Sequence, residues 1–265
     1  MKNAIIQNPI IQNFDNAVIL EGMTSISALI SALDSGKSRR KIYKILLDNS
    51  RMVSKKREIS FLKIKSQIYG FDINIVDTET IDSVASGSTH GGIIAVCSDT
   101  VINRLSPELV KKDGIYYIFE GVEDPYNFGY MIRSVYASGA DGIIMSERNW
   151  MSAASTVAKS SAGTSELLDM FICDPSEAVD IFKSLGYKVV SAGIRDSVTL
   201  YEADLSKPIL VVIGGEKRGI SRSILEKSDS IIRIDYGRQF KGSLPSVSAT
   251  SIISFEILRK NSKIN

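Results

Sequence analysis

Apolar positions change period repeatedly along this chain. Ala17–Leu20 is a short apolar run, and Met23, Ile26, Leu29, Ile30 and Leu33 then recur at helical spacing, with Thr24 placed to cap the helix. A strand followed by a helix is predicted. The same alternation continues through a β-like run at Ile42–Leu47, a basic helical stretch around Lys55–Tyr69, a strand at Ile73–Val76, a short helix near Ile81–Ala85 and a strand at Ile93–Cys97. The pattern then lapses into a polar stretch carrying Pro107 and two lysines, which reads as a connection between domains. Beyond it, Ile115–Glu120 predicts a strand, and Asp124-Pro125 turns the chain into a helix from about Phe128 to Ala137. Further strands are predicted at Gly142–Met145, Lys188–Ala192, Ile209–Ile213 and Ile231–Ile234, with a final helix from about Ser246 to Lys260. Strands alternating with helices predict an α/β protein with a mostly parallel sheet covered on both faces.

Composition narrows the chemistry. The chain has 265 residues, one His and two Cys, so a Ser-His-Asp hydrolase, a Cys-His pair or a multi-histidine metal site would have to be built around His90 alone. No metal is expected. Cys97 and Cys173 sit among apolar neighbours and read as reduced, buried thiols, and His90, in Thr89-His90-Gly91-Gly92, reads as a turn residue. Trp150 and Met151 read as packing residues or a surface anchor. No apolar stretch nears the roughly 20 residues that span a bilayer, and the first residues lack a secretion signal, so a cytoplasmic protein without membrane contact is expected. The net charge of +2 conceals an asymmetry: Met1–Lys112 carries 15 basic against 11 acidic residues, and Asp113–Asn265 carries 17 against 19. Lys37, Arg39, Arg40 and Lys41 form one basic cluster and Lys55, Lys56 and Arg57 another, either solvated faces or phosphate contacts.

Three loops of the second segment stand where strands give way to other elements, and α/β sheets bind ligands at the carboxyl ends of strands. The first runs from Glu120 to Arg133, with Asn127 read as a helix N-cap and Arg133 nearly two turns later on the same side, an amide and a guanidinium suited to a ribose or phosphate. A plain capped helix with a surface arginine fits that spacing equally well. The second is Gly214-Gly215-Glu216-Lys217-Arg218-Gly219, whose glycine spacing fits neither a dinucleotide fingerprint nor a P-loop. The third is Gly242-Ser243-Leu244-Pro245-Ser246, leading into an apolar helix. The small, polar stretch Ala158–Gly163 reads as a loop that could line a site.

Taken in order, these loops resemble the signature of the SpoU (TrmH-type) RNA 2′-O-ribose methyltransferases of the SPOUT class. The family's D-P-x-N-x-G-x-x-x-R is matched by Asp124, Pro125, Asn127, Gly129 and Arg133. Its strand ending in G-N-E-G-x-G is matched by Gly214, Glu216 and Gly219, and its S-L-N-V-S-V-A with a following Y-E by Ser243, Leu244, Ala249 and Glu256. Glu21-Gly22 and Thr89–Ile93 are similar to the family's ribosomal-protein-like substrate domain.

The resemblance implies residues 1–98 as an RNA substrate-binding α/β domain, 99–112 as linker and 113–265 as a trefoil-knotted methyltransferase domain, a rare exception to unknotted topology. It implies S-adenosylmethionine as cofactor, held around Gly214, Gly215, Gly219, Ile234 and Leu244, with Asn127, Arg133, Glu216 and Ser243 as the reaction centre. It also implies a homodimer that brings Arg133 near the partner's cofactor, and structured RNA (ribosomal or transfer) as substrate, contacted by Arg39, Arg40 and Lys41. Arginine stays protonated in proteins, so Arg133 is expected to hold the ribose and its phosphate, with deprotonation assisted by that phosphate or by water. Departures from the pattern are Pro245 at the family's Asn, Gly215 and Lys217 in the second motif, and a loop between Ile234 and Leu244 one residue longer. Because Pro supplies no N–H, an RNA-binding protein of this fold with altered or lost catalysis is the alternative.

Overall fold

The computed structural model describes Phe14 and residues 17–147 and 153–262. Trp150 and Met151 lie outside the described residues. The chain divides into two compact units, one of residues 1–101 and 149–167, the other of 102–148 and 168–265.

In the first unit, β1 (Val18–Glu21), α1 (Gly22–Asp34), β2 (Ile42–Asp48), α2 (Lys56–Tyr69), β3 (Asp72–Val76), α3 (Thr78–Val84) and β4 (Ile93–Cys97) form a four-stranded sheet with its helices, in strand order β1-β4-β2-β3. Only β2 and β3 pair in parallel. Strand side chains alternate between faces, so Leu20, Ile45, Leu47, Ile93 and Ala95 pack with Ile26, Leu29 and Ile30 of α1, whereas Ile19, Leu46, Ile94 and Val96 pack with Ile81 and Val84 of α3. Helix α1 starts three residues earlier than the Thr24 cap predicts, and its N-cap is Glu21. Glu21 caps with no side-chain bond; its buried carboxylate instead pairs with Lys159 at 2.7 Å. His90 holds a turn, as its neighbours imply: Nδ1 accepts from the Gly92 N–H at 3.1 Å and Nε2 meets Asp82 at 3.0 Å.

Arg40 corrects an expectation. Its side chain is 4% exposed, with Nη1 2.6 Å from Glu166 Oε1, and Nε and Nη2 both donating to the Ser98 carbonyl. A guanidinium so committed is a structural tie and offers nothing to RNA, whereas Arg39 and Lys41 on either side are exposed. The stretch Ala158–Gly163 is a loop only in its second half, residues 161–163 being a turn. Residues 154–160 form α5 (Ala154–Ser160), packed in this unit, and a Cβ on Gly163 would stand 2.6 Å from Ala28 Cβ of α1. The small residues serve close packing.

The second unit adds β5 (Asn103–Arg104), β6 (Ile115–Glu120), α4 (Pro125–Ala137), β7 (Gly142–Met145), β8 (Asp169–Ile172), α6 (Pro175–Ser184), β9 (Lys188–Ala192), β10 (Val198–Thr199), β11 (Ile209–Gly214), α7 (Arg222–Lys227), β12 (Ser230–Arg233) and α8 (Ser246–Asn261). Its strands form one sheet in the order β10-β12-β9-β11-β6-β7-β8-β5, with every pairing parallel. From β6 the chain steps outward through β7 to β8, then returns to build β9, β11 and β12 on the other side, so the order reverses beside β6 and β11. The central strands are buried without interruption, as a doubly covered parallel sheet requires. Strands β5, β8 and β10 are too short to show a period, and the hydrophobic pattern does not announce them. Both cysteines are free and buried, and burial pushes the Cys97 thiol up to about 12 and the Cys173 thiol to about 11. Neither is a nucleophile near neutral pH. Among the described residues no helix is long and apolar enough to cross a membrane.

Candidate functional site

The site grows from the carboxyl ends of β6 and β11. These strands are hydrogen-bonded neighbours in register from Ile115–Ile209 to Glu120–Gly214, so the chain leaves both at the same height. Beyond Glu120 it turns through Gly121, and Asp124 caps α4, its carboxylate accepting from the Asn127 N–H at 2.8 Å with Pro125 in the first turn. Asn127 is therefore inside the helix and is not its cap, which frees its amide. Beyond β11, the Gly215 N–H donates to the Glu120 carbonyl at 2.7 Å, and the Gly219 N–H returns to the Gly215 carbonyl at 3.0 Å. The Glu120 carboxylate anchors the far end of that loop, accepting from the Ser221 N–H at 2.9 Å. A Cβ on Gly215 would stand 2.3 Å from the Gly121 carbonyl oxygen, so only glycine lets the two loops touch. Gly215→Ala is expected to cost about 1–3 kcal/mol by forcing backbone apart, read as a lower denaturant midpoint together with weakened S-adenosylmethionine binding in calorimetry.

The third loop joins through α8. Ser246, the first residue of that helix, turns its Oγ to the Gly214 carbonyl at 3.1 Å, and α8 packs against α4 through Ser251 and Ser134, whose hydroxyls are 2.8 Å apart. Pro245 is the N-cap residue, where the missing N–H removes no helical hydrogen bond. The family-pattern departure is thus compatible with the helix start. Loop 234–245 is tied back on itself by the Leu244 N–H, which donates to Tyr236 Oη at 3.1 Å.

These loops enclose a cavity of about 690 Å³, within the range of small-molecule sites. Gly214, Gly215, Gly219, Ile234 and Leu244 all line it, with Glu216 and Ser243. A second cavity of about 270 Å³ is lined by Asn127, Asp124 and Gly121 and shares Gly215, Glu216 and Ser246 with the first. The structure thus brings together eight of the nine residues predicted for cofactor and chemistry. Arg133 is the exception: it is exposed and lines neither cavity. Six residues turn a helix by about 600°, leaving Arg133 about 120° around α4 from Asn127, so the same-side expectation is corrected. Ser134, seven residues on, takes that position and meets α8. Sequence reading also passed over Ser246, taken only as a helix starter, and over Tyr236 and Phe240, whose four-residue spacing in a loop carries no period to flag it.

A wholly parallel sheet whose cavity lies beyond its strands' carboxyl ends, beside the reversal of strand order, defines the class: an open α/β fold with its cavity where such sheets bind their ligands. The family model for the SpoU rRNA methylases matches residues 114–255, and the chain belongs to that family. It is 29% identical over 245 residues to a putative TrmH family tRNA/rRNA methyltransferase of Staphylococcus saprophyticus, covering 89% of this chain and 94% of that one. It is 28% identical over 204 residues to the 23S rRNA (guanosine-2′-O-)-methyltransferase RlmB of Shewanella oneidensis, covering 74% and 81%. The solved structure of an AdoMet-bound rRNA methyltransferase from Sinorhizobium meliloti superposes with a TM-score of 0.75 at 20% identity over 97% of this chain and 92% of that one, a likeness of fold.

Proposed function

We propose that this protein transfers the methyl group of S-adenosylmethionine to a ribose 2′-hydroxyl in structured RNA, ribosomal or transfer. The observation that carries this reading is the convergence of the three motif loops on one cavity, with Gly215 packed on Gly121 and Ser246 on Gly214. The donor set fits the cofactor: a cavity of about 690 Å³ lined by the apolar side chains of Ile213, Ile232 and Leu244, by the glycine backbone of Gly214, Gly215 and Gly219, and by Glu216. Bound there, S-adenosylmethionine supplies a methyl already activated by a sulfonium. What remains for the chain is alignment of the 2′-hydroxyl and removal of its proton. Asn127 and Glu216 share the smaller cavity and offer an amide and a carboxylate to a ribose. Ser243 is exposed on the wall of the larger one.

We assign residues 1–98 to RNA binding, with Arg39 and Lys41 as phosphate contacts, and 113–265, apart from the stretch 153–167 that packs in the first unit, to a knotted catalytic domain. The packing of Gly215 on Gly121 and of Ser246 on Gly214, which gathers the three motif loops at one place, is the observation in favour of the knot. The outward-facing aromatics of α4 (Tyr126, Tyr130 and Tyr136) and Phe255 of α8 support a homodimer across these helices, which would carry exposed Arg133 to the partner's cavity. Sedimentation equilibrium is expected to give twice the chain mass of 29.0 kDa, and Tyr130→Glu to shift it toward the monomer. Tyr236→Phe removes the acceptor of the Leu244 N–H and is expected to weaken S-adenosylmethionine about 2–10-fold in calorimetry. The reading itself is tested by incubating the protein with labelled S-adenosylmethionine and total RNA from a strain lacking it. Label recovered in 2′-O-methylated nucleoside is the expected result, and cofactor binding with no label in RNA would favour the binding-only alternative.

A further inference from the structure

We propose that Phe240, flanked by Arg238 and Lys241, is the platform on which a base of the RNA substrate stacks at the mouth of the cofactor cavity; this rests on the methyl-transfer reading above. Loop 234–245 puts side chains of two kinds, aromatic and cationic, on the cavity wall. Tyr236 and Phe240 meet edge to face with ring centroids 5.6 Å apart, and Phe240 remains 58% exposed although the loop is tied down at Leu244. An aromatic ring braced by a neighbouring ring and still more than half exposed can take a base in stacking, and every base has a π-face to offer. Arg238 and Lys241 line the same cavity and are exposed, and among the described residues neither has an ion-pair partner. Arg233, by contrast, is neutralised by Asp235 at 2.8 Å.

Charge decides which ligand this loop faces. S-adenosylmethionine carries a sulfonium, an ammonium and one carboxylate, so two unpaired cations at the mouth disfavour it, whereas RNA brings a phosphate with every nucleotide. Tyr236 belongs to the cofactor side, because its hydroxyl holds Leu244, and Phe240 to the RNA side. The two functions of one loop are therefore separable by mutation.

The test uses the full-length protein with three measurements: S-adenosylmethionine affinity by calorimetry, the KM for total RNA from a strain lacking the protein, and quenching of a single-stranded RNA carrying 2-aminopurine. Phe240→Ala is expected to raise the RNA KM about tenfold and abolish most of the quenching, with cofactor affinity unchanged and Phe240→Trp restoring both. Gly242→Ala supplies a second variant that keeps the ring: its Cβ would stand 2.6 Å from Phe240 Cζ, so the ring must swing, and the same KM effect is expected in milder form. Arg238→Ala with Lys241→Ala is expected to reduce the salt dependence of RNA binding by about one to two units of slope. Weakened cofactor with unchanged RNA KM in Phe240→Ala would overturn the proposal, showing the ring to cover the cofactor; no change in either would overturn it as well. If the wild type transfers no methyl to RNA yet quenches 2-aminopurine in a Phe240-dependent way, the platform stands and the methyl-transfer reading falls.

Discussion

Arg133→Ala is expected to lower methyl transfer to RNA by about 10²–10³-fold, the cost of removing one preorganised charged donor from a reaction centre, while S-adenosylmethionine affinity stays nearly unchanged. The second half follows from geometry: Arg133 lines neither cavity of its own chain, so its loss removes no contact to the cofactor there. A guanidinium two turns into α4, on the exposed side, acts only on a ligand brought to it from outside, and in the proposed homodimer that ligand sits in the partner's cavity. Mixing is the sharper experiment. Heterodimers of Arg133→Ala with a cofactor-defective Gly215→Ala chain are expected to recover one working site if the arginine acts in trans, and none if it acts in cis. Full activity in Arg133→Ala homodimers would remove it from the reaction centre.

Arg40→Ala is expected to destabilise the first unit by about 3–5 kcal/mol, because it strands the Glu166 carboxylate, 7% exposed, without its cation. The two hydrogen bonds to the Ser98 carbonyl go with it. Urea denaturation followed by circular dichroism reads this directly. Replacing both partners with apolar residues, Arg40→Met with Glu166→Leu, is expected to recover much of the loss, since no charge is then left buried. The neighbours behave oppositely: Arg39→Ala and Lys41→Ala are expected to leave stability within about 0.5 kcal/mol and to weaken RNA binding in a salt-dependent way. A stable Arg40→Ala protein with weakened RNA binding would return Arg40 to the RNA surface.

Arg40 and Arg133 also show where sequence stops being informative. In the chain, Lys37 to Lys41 is an undifferentiated basic run, and nothing local distinguishes the arginine that is buried from those that are solvated. The partner, Glu166, is 126 residues away, in a segment that follows β7 of the second unit yet packs in the first. Residues 153–167 carry no signal of that membership, because domain membership is a property of contacts. Boundary errors have local causes: Thr24 and Asn127 are good capping residue types, but Glu21 and Asp124 lie earlier and take the role, Asp124 by reaching the Asn127 N–H.

The strands Ile115–Glu120, Gly142–Met145, Lys188–Ala192 and Ile209–Gly214, and the three motif loops, were legible from the sequence alone, because burial on both faces demands continuous apolar runs and close backbone contact demands glycine. Only the tertiary structure decided that β6 and β11 are adjacent, that Gly215 lies on Gly121, and that Ser246 closes on Gly214, since these pair residues about 30 to 95 positions apart whose meeting depends on strand order. The sequence determined which residues could form a methyl-transfer site. Their convergence on one cavity, and the departure of Arg133 from it, follow from the reversal of the sheet and the 100° step of a helix.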